Sequence, residues 1–412
     1  MSSDAPRASY LRRVDELKSD AATVDEGDAL ICARWSTMLP SYIADVLERA
    51  ARTPPLHAHE PLLAQEARGA RTLILRVAQY NMNVLLGADF KPPHFPVDDA
   101  AALLLSLNAD VLFLQEASVQ TFPPKPAGAA ADQFDSAGDQ TARILALHAA
   151  LRAAGYAIHV ADADSVYNPA LVATRLPVRD AGEPFNVDVG EFREHLLAAA
   201  ASRVPELRGA RVVRVSLGAD ARAPTLACVA THLHHEESGK RGVRAAEVRE
   251  IIRHLGGECA SGGGGCGGGG GGDDSEVVIL ATDCNAVRRR DYNAKEWAVI
   301  ARGKEKIGEP VCPHAADCGC APASDGVEEA FVGGGFEATF DDTADGRAVE
   351  FTHWTSTCVD FAWWKRPRLG HAAGGAVAAV WRVRGVWPVW SAMSDHIPLV
   401  HEWEVQLPAP EK

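Results

Sequence analysis

Apolar residues fall in short runs between residues 71 and 406, and most of the runs break off at a small polar cluster. Residues 71–80 read Arg-Thr-Leu-Ile-Leu-Arg-Val-Ala-Gln-Tyr, which predicts a buried strand ending at Asn81-Met82-Asn83. Pro93 and Pro96 mark a loop. Residues 97–107 have helical spacing, with Asp98 and Asp99 in the first turn, where carboxylates favour the helix dipole. Residues 111–114 form a second short apolar strand that runs into Gln115-Glu116. The order is strand, helix, strand, and each strand ends in side chains able to hold a cation.

The pattern continues with a loop rich in Pro, Ala and Gly at 121–138 and a helix at 140–154 with Ile144, Leu147 and Leu151 on one face. A strand at 156–160 and a turn entering a strand at 168–174 follow. Residues 181–208 read as an insertion with one alanine-rich helix, and 211–217 and 225–230 as hairpin strands. The second of these ends at Thr231-His232-Leu233-His234-His235-Glu236. Residues 243–255 predict an amphipathic helix with Val248, Ile251, Ile252 and Leu255 on its core side. Polyglycine at 256–272 cannot offset its ordering entropy and is expected to be a flexible surface loop. It lacks the Lys-Ser/Thr ending of a phosphate-binding loop. A buried strand at 277–281 ends at Thr282-Asp283-Cys284-Asn285, and residues 286–330 read as an irregular insertion. His353-Trp354, a strand at 359–364, a strand at 377–387, Ser394-Asp395-His396 and a closing strand at 399–405 complete the chain. Ahead of all this, residues 1–70 carry helical spacing (Leu30, Ile31, Trp35, Met38 and Leu39; then Ile43, Val46 and Leu47) and are expected to be a helical extension packed on a main domain at 71–407.

Composition narrows the class. At 412 residues with 47% apolar content, the chain is globular rather than disordered. A net charge of −14 argues against tight, sequence-independent nucleic-acid binding, which depends on Lys and Arg. It leaves room for an enzyme whose pocket is made locally positive by a metal. The first residues have no signal pattern, and no run of about 18 apolar residues predicts a membrane span. The nine cysteines are expected to be mostly reduced thiols, in an intracellular (cytoplasmic or nuclear) monomer. Cys312, His314, Asp317, Cys318 and Cys320 are poorly spaced for zinc and are read as unliganded loop residues.

The polar clusters share one chemistry. Asn81 and Asn83, Glu116, His232, Asp283 and Asn285, and Asp395 and His396 end or flank five apolar strands, and Asp360 lies just inside a sixth. Polar groups at strand ends are costly to bury unless they pair or bind an ion. Hard oxygen ligands such as Glu116 and Asp395 suit Mg²⁺ or Mn²⁺. Asp283 and Asn285, two apart on an extended segment, point to one face. One can orient a water while the other donates to a phosphoryl oxygen. An imidazole beside a carboxylate can be held protonated.

The series Tyr80-Asn81-Met82-Asn83, Leu114-Gln115-Glu116, Thr231-His232-Leu233, Thr282-Asp283-Cys284-Asn285, Val359-Asp360-Phe361 and Ser394-Asp395-His396 resembles the endonuclease/exonuclease/phosphatase superfamily, in the same order and over roughly residues 71–406. The resemblance implies an α/β (α+β), DNase I-like fold: a four-layer α/β/β/α sandwich of two mixed sheets. It implies Glu116 as the main metal ligand, with Asn81 and Asp395 close by and Asn83 facing metal or water. Asp283 would orient or deprotonate the attacking water, Asn285 and His232 would contact the phosphate, and His396 would bind the phosphoryl oxygen with Asp360 orienting its ring. Thr282 stands where the family often has Gly, Cys358 where it often has a basic residue, and Asn83 where some members have a carboxylate.

The function implied is a Mg²⁺- or Mn²⁺-dependent phosphodiesterase acting on a phosphate ester, with nucleic acid first as a nuclease or end-processing enzyme. A phospholipid or phosphoinositide hydrolase is the alternative, and a non-catalytic binding module on the same fold the second. Residues near these motifs have plainer readings too. His232 could be a core histidine and Asn83 a turn residue. His234 and His235 are read as a solvated loop. Arg241 and Arg244 fit a solvent-facing helix start as well as a phosphate contact. Trp354, Trp363 and Trp364 are read as sheet core. Deleting residues 262–272 is expected to leave the denaturation midpoint and any hydrolytic rate nearly unchanged, because shortening a flexible loop alters closure entropy only slightly; a large loss of either would show an ordered, working loop.

Overall fold

The computed structural model describes residues 42–85, 95–119, 137–161, 170–187, 189, 208–220, 223–234, 242–256, 276–294, 297, 326–343, 346, 349–353, 357–366 and 379–407. The helical spacing before residue 42, the alanine-rich helix, the glycine run, the Cys312–Cys320 cluster, His235, Arg241 and Trp354 lie outside them.

Two β-sheets face each other. In the first, the order is β12 (Val380–Pro388), β13 (Leu399–Gln406), β1 (Thr72–Asn81), β2 (Val111–Gln115), β4 (Leu171–Thr174) and β3 (Ala157–Val160). In the second it is β10 (Glu337–Ala338), β11 (Asp360–Lys365), β9 (Val277–Asp283), β8 (Thr225–Thr231), β7 (Gly209–Ser216) and β5 (Val178–Ala181), with β6 (Phe185–Asn186) also on β7. Both sheets are mixed. Each has one parallel pair at its centre, β1 with β2 and β8 with β9, and antiparallel neighbours around it. A crossover helix links each parallel pair: α3 (Val97–Ser106) the first, α5 (Val243–His254) the second.

Three apolar layers follow from strand alternation. Leu73, Leu75 and Val77 on β1 pack between the sheets with Val213, Cys228, Ile279, Ala362, Trp364 and Trp403. The opposite face of the first sheet, with Ala78, Tyr80, Leu112 and Leu114, covers α3 and α4 (Ala137–Ala153) through Leu104, Ile144, Leu147 and Leu151. The outer face of the second sheet, with Val229, Leu280 and Trp363, covers α5 and α6 (Val327–Gly333) through Val248, Ile251 and Phe331. Helix, sheet, sheet, helix is therefore the order of layers, as the motif resemblance implied.

The strands and helices expected between residues 71 and 160 are present within a few residues of their anticipated bounds, and so are β7, β8, α5, β9, β11, β12 and β13. Four elements went unread: β5, the two-residue β6, β10 and α6. β5 is a polar edge strand whose Val178, Arg179 and Asp180 are exposed, so it has no apolar alternation to betray it. α6 and β10 are short, and α6 begins inside the stretch read as an irregular insertion. Trp363 and Trp364 are core residues, stacked on Phe331 and edge-on to Trp403 respectively.

Residues 42–70 lie against this sandwich. A helix at 42–52 (α1) places Tyr42 and Val46 against Phe351 and Ile397, while Arg49 pairs with Glu350 and lies over the rings of Phe351 and Trp390. Leu62, opening α2 (Leu62–Ala67), enters the core between the sheets. The antiparallel register sets Arg76 of β1 opposite Glu402 of β13. Both are buried, and the guanidinium reaches the carboxylate at 2.7 Å while also donating to the carbonyls of Leu107 and His57. A fully buried cation tied to both neighbouring elements cannot lose its counter-ion cheaply. Replacing Glu402 with Ala should lower stability by about 3–5 kcal/mol, read as a reduced urea midpoint with the slope unchanged.

Candidate active site

The inner face of each central strand is apolar for most of its length and turns polar at one end. On β1 the alternate residues run Leu73, Leu75, Val77, then Gln79 and Asn81; on β2 they run Val111, Phe113, then Gln115. On β8 and β9 they run Leu226, Cys228, Ala230 to His232, and Val277, Ile279, Ala281 to Asp283. β11 runs the other way and begins on Asp360 before Ala362 and Trp364. Parallel pairing within each sheet, and antiparallel pairing of β11 and β13 against them, bring all these ends to the same side.

Three amide side chains of the first sheet reach across to the second. Gln79 Nε2 donates to Asp360 Oδ1 at 3.1 Å, and Gln115 Nε2 to the carbonyl of Ala281 at 3.1 Å. Asn81 Nδ2 donates to Asp283 Oδ2 at 3.1 Å and to Glu116 Oε1 at 3.3 Å. Ser394 Oγ donates to the Asn81 carbonyl at 2.8 Å, which seats the Ser394-Asp395-His396 segment beside it. Asp283 also accepts the backbone N–H of Asn285 at 2.7 Å and faces His232 Nε2 at 3.3 Å. Asn285 Nδ2 lies 3.2 Å from His232 Nε2 and donates to the Leu233 carbonyl. His396 sits between two carboxylates, with Nδ1 2.8 Å from Asp360 and Nε2 3.6 Å from Asp283.

Backbone conformation marks the same place. Among the described residues, five other than glycine have positive φ, and three are Asn83 (44°), Glu116 (53°) and Asn285 (48°). Asparagine tolerates that region; glutamate does so rarely, at roughly 1–2 kcal/mol. The left-handed turn at Glu116 ends β2.

Electrostatics separate the titrating groups. Burial opposes a charge on His396, but Asp360 and Asp283 overcome it and push the imidazole up to about 10. Burial also opposes ionisation of Asp283, yet His396 and His232 hold its carboxyl well below the usual range. Glu116 is pushed up by burial, with His232 pulling against it and Asp395 adding to it. At Asp395, burial is outweighed by His353 and His396, and the carboxyl lies lower than usual. A cation between Glu116 and Asp395 would relieve the unfavourable pairing of two buried carboxylates. The donor set there is oxygen, from carboxylates and amides, and fits Mg²⁺ or Mn²⁺.

The motif order resembles that of the endonuclease/exonuclease/phosphatase superfamily. No family model matches the sequence, and no curated protein matches it. Solved structures do. An endonuclease/exonuclease/phosphatase from Beutenbergia cavernae DSM 12333 is similar at 16% identity over 81% of this chain and 72% of that one, with a TM-score of 0.46. D. rerio TDP2, complexed with single strand DNA product, is similar at 13% identity over 80% of this chain and 98% of that one, with a TM-score of 0.41. The human Nocturnin catalytic domain, with bound sulfate anion, is similar at 16% identity over 81% of this chain and 94% of that one, with a TM-score of 0.41.

Of the residues that the superfamily motifs nominate, Asn81, Glu116, His232, Asp283, Asn285, Asp360, Asp395 and His396 form one connected cluster. Asn83 joins it through its backbone N–H, which donates to Asn81 Oδ1 at 3.0 Å. The described ligand atoms that crowd within 4.8 Å are those of His353, Asp395 and His396, and those of Asp283, Asp360 and His396; Glu116 is in neither group and connects through the Asn81 amide. His353 and Gln79 were missed. Gln79 sits two residues before Asn81 on one strand face, and that spacing could have flagged it; His353 has no such signal. His234 corrects an expectation of solvent exposure, and of the two readings left open for Arg244 the solvent-facing helix start does not hold. Both are buried, because Glu247 on α5 accepts the His234 N–H at 2.9 Å and Arg244 donates to the His234 carbonyl, which folds the segment inward. Because the His396 pKa is raised above the unfolded value of 6.5, its charge stabilises the fold fully below about pH 6.5 and loses that effect as pH climbs through about 10. Nitrogen-15 NMR of the imidazole should show both ring nitrogens protonated at about pH 8; a neutral ring there would contradict the assigned electrostatics.

Proposed function

We propose that this chain is a divalent-metal-dependent phosphohydrolase that cleaves phosphodiesters by in-line attack of water. The observation that carries this reading is the Asn81 amide, which bonds a carboxylate of each sheet, Glu116 and Asp283, and so joins a cation ligand to a water-binding group. Glu116 and Asp395 would hold the ion, with Asn81 and Asn83 beside them. A bound Mg²⁺ or Mn²⁺ would supply neutralisation of the charge that develops on the phosphoryl group.

The remaining roles belong to the protein's own groups. Asp283 is held so low by its histidines that it is a weak base, which favours orienting the water over abstracting its proton. His396 carries a charge and offers Nε2–H to a phosphoryl oxygen, while Asp360 fixes the ring through Nδ1. Gln79 in turn fixes Asp360. Asn285 and His232, side by side at 3.2 Å, would hold a second phosphoryl oxygen. A non-catalytic module would have no use for this full set of charged groups, whose burial is costly.

Nucleic acid is the substrate class we put first, as a nuclease or DNA-end-processing phosphodiesterase. The net charge of −14 keeps a phospholipid or phosphoinositide ester as the second reading, because neither face of the argument rests on a basic groove. Asp283→Ala and His396→Ala should each lower turnover of an activated phosphodiester, in Mg²⁺ or Mn²⁺, by about two orders of magnitude or more. Near-wild-type rates in either variant would refute the roles assigned. A panel of single-stranded DNA, RNA, phosphotyrosyl-ended DNA, inositol phosphates and sphingomyelin then ranks the two substrate readings, with nucleic acid expected to be cleaved fastest.

A further inference from the structure

Glu116 stands on a turn that has to be held. Its φ of 53° lies in the left-handed region, and a glutamate stays there only where its neighbours over-determine the backbone. Before the turn, the Gln115 carbonyl accepts the Met82 N–H at 2.9 Å, and the Gln115 amide reaches the Ala281 carbonyl at 3.1 Å. After the turn comes Ala117, which is fully buried, and its carbonyl oxygen lies 2.7 Å from Nε2 of His148 on α4.

A carbonyl accepts and never donates, so Nε2 must carry the hydrogen. Burial, aided by Arg152, holds the ring below the ordinary histidine pKa against the pull of the carbonyl, which leaves it neutral with that one hydrogen. None of the catalytic roles falls to this imidazole. Ile144, Leu147, His148 and Leu151 follow the spacing of one buried helix face, so a core position has been given to a polar ring. The buried Ala117 carbonyl is what that ring satisfies. The same helix braces the neighbouring turn. Arg143 donates to the carbonyls of Leu85, at 3.0 Å, and Phe95, and Leu85 N–H donates to the Met82 carbonyl at 3.0 Å. Asn83 and Leu85 are themselves left-handed, at 44° and 63°. The turns that carry Asn83 and Glu116 thus both rest on side-chain donors of α4.

We propose that His148 is a positioning residue for the cation: by donating Nε2–H to the Ala117 carbonyl it locks the left-handed turn that aims the Glu116 carboxylate at the ion. The inference rests on the reading of Glu116 as a cation ligand. A brace that served the fold alone would lower the melting temperature when removed and leave the metal affinity of the folded protein unchanged. A brace that aims a ligand lowers that affinity.

Manganese binding separates the two. Chelator-treated full-length protein is titrated with Mn²⁺, the free ion being read by electron paramagnetic resonance. In His148→Leu, which fills much of the space and loses the donor, affinity should fall about ten-fold or more. In His148→Gln, whose side-chain amide can donate in place of the ring, it should stay within about three-fold of the wild type. Thermal melting confirms that each variant is folded. Wild-type affinity in folded His148→Leu, or an equal loss in both variants, would overturn the proposal. Should His148→Leu not fold, nitrogen-15 NMR of the wild type decides: a protonated Nε2 and a bare Nδ1 are expected at about pH 7, and a bare Nε2 would overturn it. Loss of Mn²⁺ binding in Glu116→Gln beside unchanged binding in His148→Leu would leave the reading of Glu116 standing while this inference fell. Failure of the wild type to bind Mn²⁺ at millimolar concentration would overturn both.

Discussion

Everything at the polar end of the sandwich hangs on side-chain amides that cross between two sheets. Asn81 holds Glu116 and Asp283, Gln79 holds Asp360, and Gln115 holds the Ala281 carbonyl. An uncharged donor can satisfy buried carboxylates from both sides without adding charge of its own. Apolar side chains at these positions would leave Asp283 and Asp360 under-bonded in a buried setting, at a cost of about 1–3 kcal/mol each or more for a charge. The apolar part of the same interface, from Leu73 to Trp403, fixes the distance over which those amides must reach.

Charge follows from that frame. The His396 imidazole lies between Asp360 and Asp283, so one cation serves two acids that the fold has pressed together. Two further acids, Glu116 and Asp395, face histidines, neutral side chains and one another. Two of the buried arginines pair with acids elsewhere. Arg76 answers Glu402 midway along β1, and Arg288 answers Asp291 and Asp341 behind β11. The buried negative charge at this end of the sandwich would be balanced by a divalent ion.

Strand alternation made much of this legible before any coordinates. A run such as Val-Val-Ile-Leu-Ala-Thr-Asp puts Asp283 on the same face as Val277, Ile279 and Ala281, so the polar end of an inner face can be read from spacing alone. What spacing cannot supply is a partner on another sheet. Nothing in the sequence says that Gln79 bonds a residue 281 positions later, or that Arg244 turns inward to the His234 carbonyl. His353 is silent for the same reason: it sits on an irregular segment, and its bridges to Thr357 and His396 give it its place. β5 and α6 were lost because one is a four-residue, mostly exposed edge strand and the other is only seven residues long.

The central claim is that the ends of two sheets converge on a shared cation. Anomalous diffraction from crystals soaked in Mn²⁺ tests it most directly. The expected result is a peak within coordination distance of both the Glu116 and Asp395 carboxylates. A map with no peak there, or with manganese bound only elsewhere on the protein, would contradict it.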